Sequence, residues 1–197
     1  MRIKLDGPKG KQEFADLIEA KRYKVGAEIG IREGELALLI LAKSCIKEYY
    51  MVDPWCHQEP SLYHSEVNFP QEDHEAKFQR VMKLTEPYIG KAIVMRFYSA
   101  DAAPMIKDES LDFVYIDGNH AYTDLDKPGI RQDLHLWVPK VKPGCMIAGH
   151  DFLDEKFPER IGVKTAVKEF FPEDQLVVTS EFKSLQNPPI WWTIRRQ

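Results

Sequence analysis

Cysteine is scarce in this 197-residue chain: Cys45, Cys56 and Cys145 are an odd number without metal-type pairing. That excludes a disulfide framework and a cysteine zinc site, and makes a reducing, cytoplasmic setting the expectation. No run of about 20 apolar residues is present, so nothing reads as a membrane span. Residues 1–7 lack the apolar core of a signal peptide. Positive charge is not in excess, with 27 Lys and Arg against 31 Asp and Glu and a net charge of −4. This argues against tight non-specific binding to nucleic acid or to an anionic membrane. Repeats and low-complexity segments are missing, and so is the Gly-x-Gly-x-x-Gly fingerprint of dinucleotide binding.

What remains is an ordinary globular composition, 44% hydrophobic and 29% charged, long enough for one domain spanning 1–197. Short runs rich in Val, Ile and Tyr alternate with longer amphipathic stretches, an order that points to βαβ units. Helices are expected over 11–22, 33–46, 71–86, 99–107, 121–137 and 161–171, with Pro128 and Gly129 disturbing the fifth. Strands are expected over 24–29, 49–53, 92–97, 111–117 and 145–148. Late strands at 175–180 and 189–195, separated by a segment containing Asn187-Pro188, are expected to be antiparallel neighbours. The fold class is therefore α/β, a Rossmann-like three-layer sandwich around a mostly parallel sheet. In such sheets ligands bind beyond the carboxyl ends of the strands.

Two acids stand at such ends. Glu28, in Glu28-Ile29-Gly30-Ile31-Arg32-Glu33-Gly34, closes the first strand. Gly30 allows a tight turn and close approach of a ligand, and Gly34 allows close packing or further approach. An acid at Glu28 suits a positively charged ligand and repels a pyrophosphate. Asp53 ends Tyr49-Tyr50-Met51-Val52-Asp53, 25 residues after Glu28. A carboxylate there can accept from both hydroxyls of a ribose. Taken singly, each is also compatible with a plain βα turn or a helix cap.

Together these residues resemble the class I S-adenosylmethionine-dependent methyltransferases. Glu28-x-Gly30-x-x-x-Gly34 is similar to their first motif and Asp53 to their ribose-binding acid. Ser99-Ala100-Asp101 is similar to the segment that flanks adenine. More specific are Asp117-Gly118-Asn119-His120-Ala121-Tyr122 and, later, Gly149-His150-Asp151. That pair resembles the small-molecule O-methyltransferase group that includes macrocin O-methyltransferase-like and cephalosporin hydroxylase-like proteins, and more distantly catechol O-methyltransferase. The resemblance spans about residues 24–195. It implies a seven-stranded sheet with an antiparallel last strand. It also implies S-adenosylmethionine held by Glu28, Gly30, Gly34, Asp53, Ser99, Ala100 and Asp117. A divalent cation, Mg or Mn, is implied at Asp117, His150 and Asp151, and a catalytic pair in His120 and Asp117.

Methyl transfer to a hydroxyl needs an aligned and deprotonated nucleophile. His120 has an ordinary pKa suited to a base near neutrality, and Asp117 and Asp151 are hard oxygen donors suited to Mg²⁺. His150 stands where relatives carry a carboxylate. It suits Mn²⁺, Fe²⁺ or Zn²⁺ better than Mg²⁺; its other reading is an acid/base or substrate contact. The expected acceptor is a small hydroxylated molecule, with a homo-oligomer as the setting if a partner subunit helps enclose it. A protein or RNA nucleophile is the alternative acceptor, and a non-catalytic binding protein the alternative role.

The 54–70 segment, with Pro54, Pro60, Pro70 and the aromatics Trp55, Tyr63 and Phe69, reads as a flap over the site, Trp55 covering the nucleoside. His57, His64 and His74 with Glu59, Glu66, Glu72 and Asp73 match no ligand spacing and read as solvated. Residues 152–160 are expected to form the opposite wall. Trp191 and Trp192 are expected on opposite faces of a strand, and Arg195-Arg196 in solvent.

Overall fold

The computed structural model describes residues 7–60, 63, 65, 67–154, 162–179 and 189–196. His64, Glu66, Asn187-Pro188 and most of the 152–160 wall lie outside the described residues.

Seven strands form one sheet in the order β3-β2-β1-β4-β5-β7-β6. They are β1 (Val25–Ile29), β2 (Glu48–Val52), β3 (Ala92–Met95), β4 (Leu111–Ile116), β5 (Val141–Gly149), β6 (Val177–Val178) and β7 (Trp191–Ile194). The first five run parallel, and β7 pairs antiparallel with both β5 and β6. The late strands are thus antiparallel neighbours, and the sheet is the mostly parallel one expected. Its central strands are apolar along nearly their whole length because helices cover both faces.

The helices are α1 (Lys11–Ala20), α2 (Glu35–Leu41), α3 (Gln71–Thr85), α4 (Ser99–Ala102), α5 (Ile130–Trp137) and α6 (Val163–Phe170). Phe14 and Ile18 of α1, Leu36 and Ile40 of α2 and Val81 of α3 pack with Tyr49, Phe113 and Tyr115 on one face. Ala102 of α4, Leu134 and Trp137 of α5 and Val167 of α6 pack with Ile29, Val114 and Ile116 on the other. Burial of these side chains from water is the main force joining the three layers, worth about 1.5–3 kcal/mol for each large one. Trp191 belongs to the second core and Trp192 borders the first, as alternation along a strand requires.

Several boundaries differ from expectation for local reasons. The helix expected over 121–137 begins only at Ile130. Pro128 cannot donate a backbone hydrogen bond, and a Cβ at Gly129 would overlap the Ala121 carbonyl. Residues 119–129 form a loop instead, cinched by Asn119, which accepts from the Ala121 amide and donates to the Pro128 carbonyl. Pro104 likewise ends α4 after one turn, in a 3-10 segment, Ala103–Met105. Arg195 is not left in solvent: its guanidinium donates to the carbonyls of Pro139 and Val141 and pairs with Glu109 at 3.1 Å.

Candidate functional site

The carboxyl ends of β1, β2, β4 and β5 open on a cleft of about 1170 Å³. Glu28, Gly30, Asp53, Ser99, Ala100, Asp117, His120, His150 and Asp151 all line it. The first strand turns at Gly30, whose φ of 90° is in the region that favours glycine. Its amide donates to the Val52 carbonyl at 2.9 Å, and a Cβ there would overlap the Asp117 carbonyl. Strand ends β1, β2 and β4 are thereby drawn together at one residue. Gly34 stands apart from the cleft: at φ 80° it begins α2 and faces Val81.

Glu28 is 3% exposed and receives the Tyr49 hydroxyl at 2.8 Å. Burial raises its pKa to about 8, the Tyr49 hydrogen bond pulling against the shift. Asp53 is already engaged. One oxygen accepts from the amides of Ile31 at 3.0 Å and Arg32 at 2.9 Å, and the other from the Trp55 amide at 2.7 Å. Burial raises its pKa although these three donors favour the charged form. The second acid therefore also shapes the glycine turn, and Arg32 and Trp55 hold positive φ values of 52° and 41° beside it.

Beyond the ends of β4 and β5, Asp117, His120 and Asp151 converge, with one ligand-type atom from each inside a 4.8 Å group. His120 Nε2 lies 3.4 Å from Asp117 Oδ1 and its Nδ1 3.1 Å from Asp151 Oδ2. His150 Nδ1 lies 3.6 Å from Asp117 and 3.5 Å from Asp151. The trio expected to hold a metal was Asp117, His150 and Asp151; in the structure His120 completes the tightest group and His150 flanks it. Burial opposes the charge on either imidazole, yet the facing carboxylates outweigh it and raise both pKa values. The same imidazoles lower that of Asp151 against the effect of its burial. Asp151 holds its position at φ 51°, a conformation costing about 1–3 kcal/mol in a non-glycine residue.

The Ser99 side chain turns inward. Its hydroxyl donates to Asp133 and accepts the indole N–H of Trp137 at 2.8 Å. Asp133 itself, absent from the sequence reading, is 3% exposed and lines the cleft. Burial raises its pKa to about 7, with the Ser99 hydrogen bond opposing. One signal could have found it: the buried stripe of α5 is Ile130, Asp133, Leu134 and Trp137, so an acid occupies an apolar position of the helical repeat. Lys11, likewise unforeseen, also lines the cleft.

Trp55 lines the cleft from a buried position. It is 1% exposed, its ring packs against Phe78 at 5.1 Å, and its indole donates to the Arg32 carbonyl at 3.0 Å. The described part of the 54–70 segment is tied by Asn68, which donates to the carbonyls of Gln58 and Tyr63. Among the described residues no metal group forms around His57 and His74. No described helix is long and apolar enough to cross a membrane.

A sheet of this order, with acids at the ends of β1, β2 and β4, defines a class I methyltransferase fold. A family model described as a methyltransferase domain matches residues 27–152, and the chain belongs to that family. It is similar to the O-methyltransferase from Bacillus cereus in complex with SAH, with a TM-score of 0.61 at 13% identity over 96% of this chain and 82% of that one. It is also similar to the N-methyltransferase NodS from Bradyrhizobium japonicum, at 0.63 and 13% over 95% of each chain. In sequence it is 24% identical over 145 residues to uncharacterized protein y4gI of Sinorhizobium fredii, covering 74% of this chain and 14% of that one. The chain thus spans about one seventh of the length of the curated relative it matches.

Proposed function

We propose that the protein transfers a methyl group from S-adenosylmethionine to a hydroxyl of a small molecule. One observation carries this reading: an imidazole, His120, is set between two carboxylates, Asp117 and Asp151, in the same cleft that Glu28 and Asp53 line.

The residues fit the cofactor's chemistry. Glu28 is a buried acceptor whose ionised form gains from a cationic partner. Asp53 keeps lone pairs beyond its three amide donors for hydroxyl groups. The backbone at Ser99 and Ala100 opens α4, with Tyr98 as its N-cap, and offers unpaired amides to a planar base. When bound, S-adenosylmethionine supplies an electrophilic methyl on a sulfonium centre.

His120 accepts the acceptor's proton, and Asp117 and Asp151 orient its ring and stabilise the imidazolium that results. Asp117 and Asp151 are also the hard donors that would hold a divalent cation, Mg²⁺ or Mn²⁺, whose contribution is to lower the pKa of a coordinated hydroxyl. Described residues of the 54–70 segment, among them Trp55, His57, Tyr63 and Phe69, line the cleft, which supports reading the segment as its flap. The nearby aromatic and polar side chains of the cleft favour an acceptor of modest size. The protein is read as a cytoplasmic enzyme.

The test is calorimetric titration of S-adenosylhomocysteine into chelator-treated protein, with NAD as the control ligand, repeated with Mg²⁺ and Mn²⁺. Binding of the former alone is the expected result, followed by label transfer from S-adenosylmethionine to hydroxylated compounds. Binding of neither, or label transfer to amines only, would overturn the reading.

A further inference from the structure

The cleft is strongly acidic. Glu28, Glu35, Asp53, Asp117, Asp133 and Asp151 all line it. An α-amino acid end of a ligand brings an ammonium that such a site welcomes and a carboxylate that it repels. The two groups sit on one carbon. A cation that accepts the carboxylate must therefore lie beside the acid that accepts the ammonium.

Three described cations line the cleft, Lys11, Arg32 and Lys77; Arg32 and Lys77 lie over the Phe69 ring, and Lys11 is the one whose charge acts on Glu28. It is the first residue of α1 and lines the cleft. Its Nζ lies 2.8 Å from Glu35 Oε2, with the side chain about one third exposed (34%). Its charge acts on Glu28, Asp117 and Asp151 as well as on Glu35. A lysine ammonium has three donors, and among the described residues one of them is used, on Glu35. Glu35 opens α2 directly after the glycine turn, so the pair holds the lysine beside that turn. Phe14 of the same helix packs its ring against Tyr115 at 4.8 Å, which fixes α1 to the β4 strand that Asp117 directly follows.

We infer that Lys11 is the carboxylate-binding residue for the amino-acid end of the cofactor. It lies outside the segment matched by the family model and is supplied by the helix that precedes the first strand. This rests on the cofactor reading above. Glu35 acts as its resting partner, and the ligand carboxylate takes another donor of the ammonium or displaces Glu35. Lys11 is a specificity residue: it separates ligands that carry the carboxylate from those that lack it.

The experiment compares two ligands by calorimetry, S-adenosylhomocysteine and its decarboxylated form, S-adenosyl-3-thiopropylamine, on the full chain and on Lys11→Met and Lys11→Arg. Circular dichroism melts check that each variant folds. A charge-assisted hydrogen bond corresponds to a loss of at least about tenfold in affinity. Lys11→Met should lose that much for S-adenosylhomocysteine and stay within about twofold for the decarboxylated ligand. Lys11→Arg should retain most of the affinity. Equal losses for both ligands, or none for either, would overturn the assignment while leaving the cofactor reading intact. Failure of the unaltered protein to bind S-adenosylhomocysteine would overturn the cofactor reading and this inference with it.

Discussion

The Tyr49 hydroxyl donates to Glu28 Oε2 at 2.8 Å inside the sheet. The two side chains reach each other from neighbouring parallel strands, in a register that pairs Gly26 with Tyr49 and Glu28 with Met51. The acid at the head of the glycine turn is thus fixed in position and kept dry.

This pair gives a pH dependence. The folded pKa of Glu28 is about 8, above its ordinary 4.5. Between those values the folded chain binds more protons than the unfolded one, so this group's contribution to stability falls as pH rises through that window. Ligand binding runs the other way, because the ligand ammonium favours the ionised acid. Affinity for S-adenosylhomocysteine should climb as pH rises toward 8, and Glu28→Gln should flatten the slope. Calorimetry across that range decides it; an unchanged slope in the variant excludes Glu28 as its source.

Tyr115 carries a buried hydroxyl with no hydrogen-bond partner among the described residues. Removing an unsatisfied buried hydroxyl relieves a desolvation cost. Tyr115→Phe should be neutral or stabilising by up to about 1 kcal/mol, read by urea denaturation. A clear loss of stability would show that the hydroxyl is satisfied after all.

Gly30→Ala should be costly. The φ of 90° strains an alanine, and the new methyl would overlap the Asp117 carbonyl. A loss of about 1–3 kcal/mol is expected, with weakened ligand binding because β1 and β4 separate at their ends. Thermal melts with and without S-adenosylhomocysteine measure both.

His120→Gln should reduce methyl transfer by about a hundredfold or more, while affinity for S-adenosylhomocysteine changes little. A parallel fall in affinity would place His120 in ligand binding rather than in proton transfer.

Asp117→Asn and Asp151→Asn should each weaken Mn²⁺ binding by about tenfold or more if the two carboxylates share the ion. Electron paramagnetic resonance of free Mn²⁺ reads this directly. His150→Gln is the informative companion: its effect reports whether the flanking imidazole is a ligand or a bystander.

Much of the scaffold could be read in the sequence because strands buried on both faces leave compact apolar runs, as in Leu111-Asp112-Phe113-Val114-Tyr115-Ile116. The acids at strand ends followed from the same runs. Less legible was anything set by a distant segment. Lys11 reaches the cleft only because α1 docks beside α2, and a lysine at a helix start carries no signal of its own. Trp55 looked like a flap residue next to Pro54; its burial depends on Phe78, more than 20 positions away. That His120 sits between Asp117 and Asp151, with His150 flanking them, depends on side-chain geometry that spacing does not encode. The expected 121–137 helix exceeds the observed one, Ile130–Trp137, because the apolar periodicity runs on through the Pro128-Gly129 break.

The segment before α1 and the one after β6 also hold each other. The Gly7 amide donates to the Val178 carbonyl at 3.2 Å, and the Thr179 hydroxyl donates to the Pro8 carbonyl at 2.7 Å. A two-residue strand at the margin of a sheet would otherwise turn its unpaired backbone groups toward any other chain that came near. Here the outward carbonyl of Val178 is already taken by a segment more than 160 residues earlier in the sequence. The margin of the sheet is closed from within the same chain.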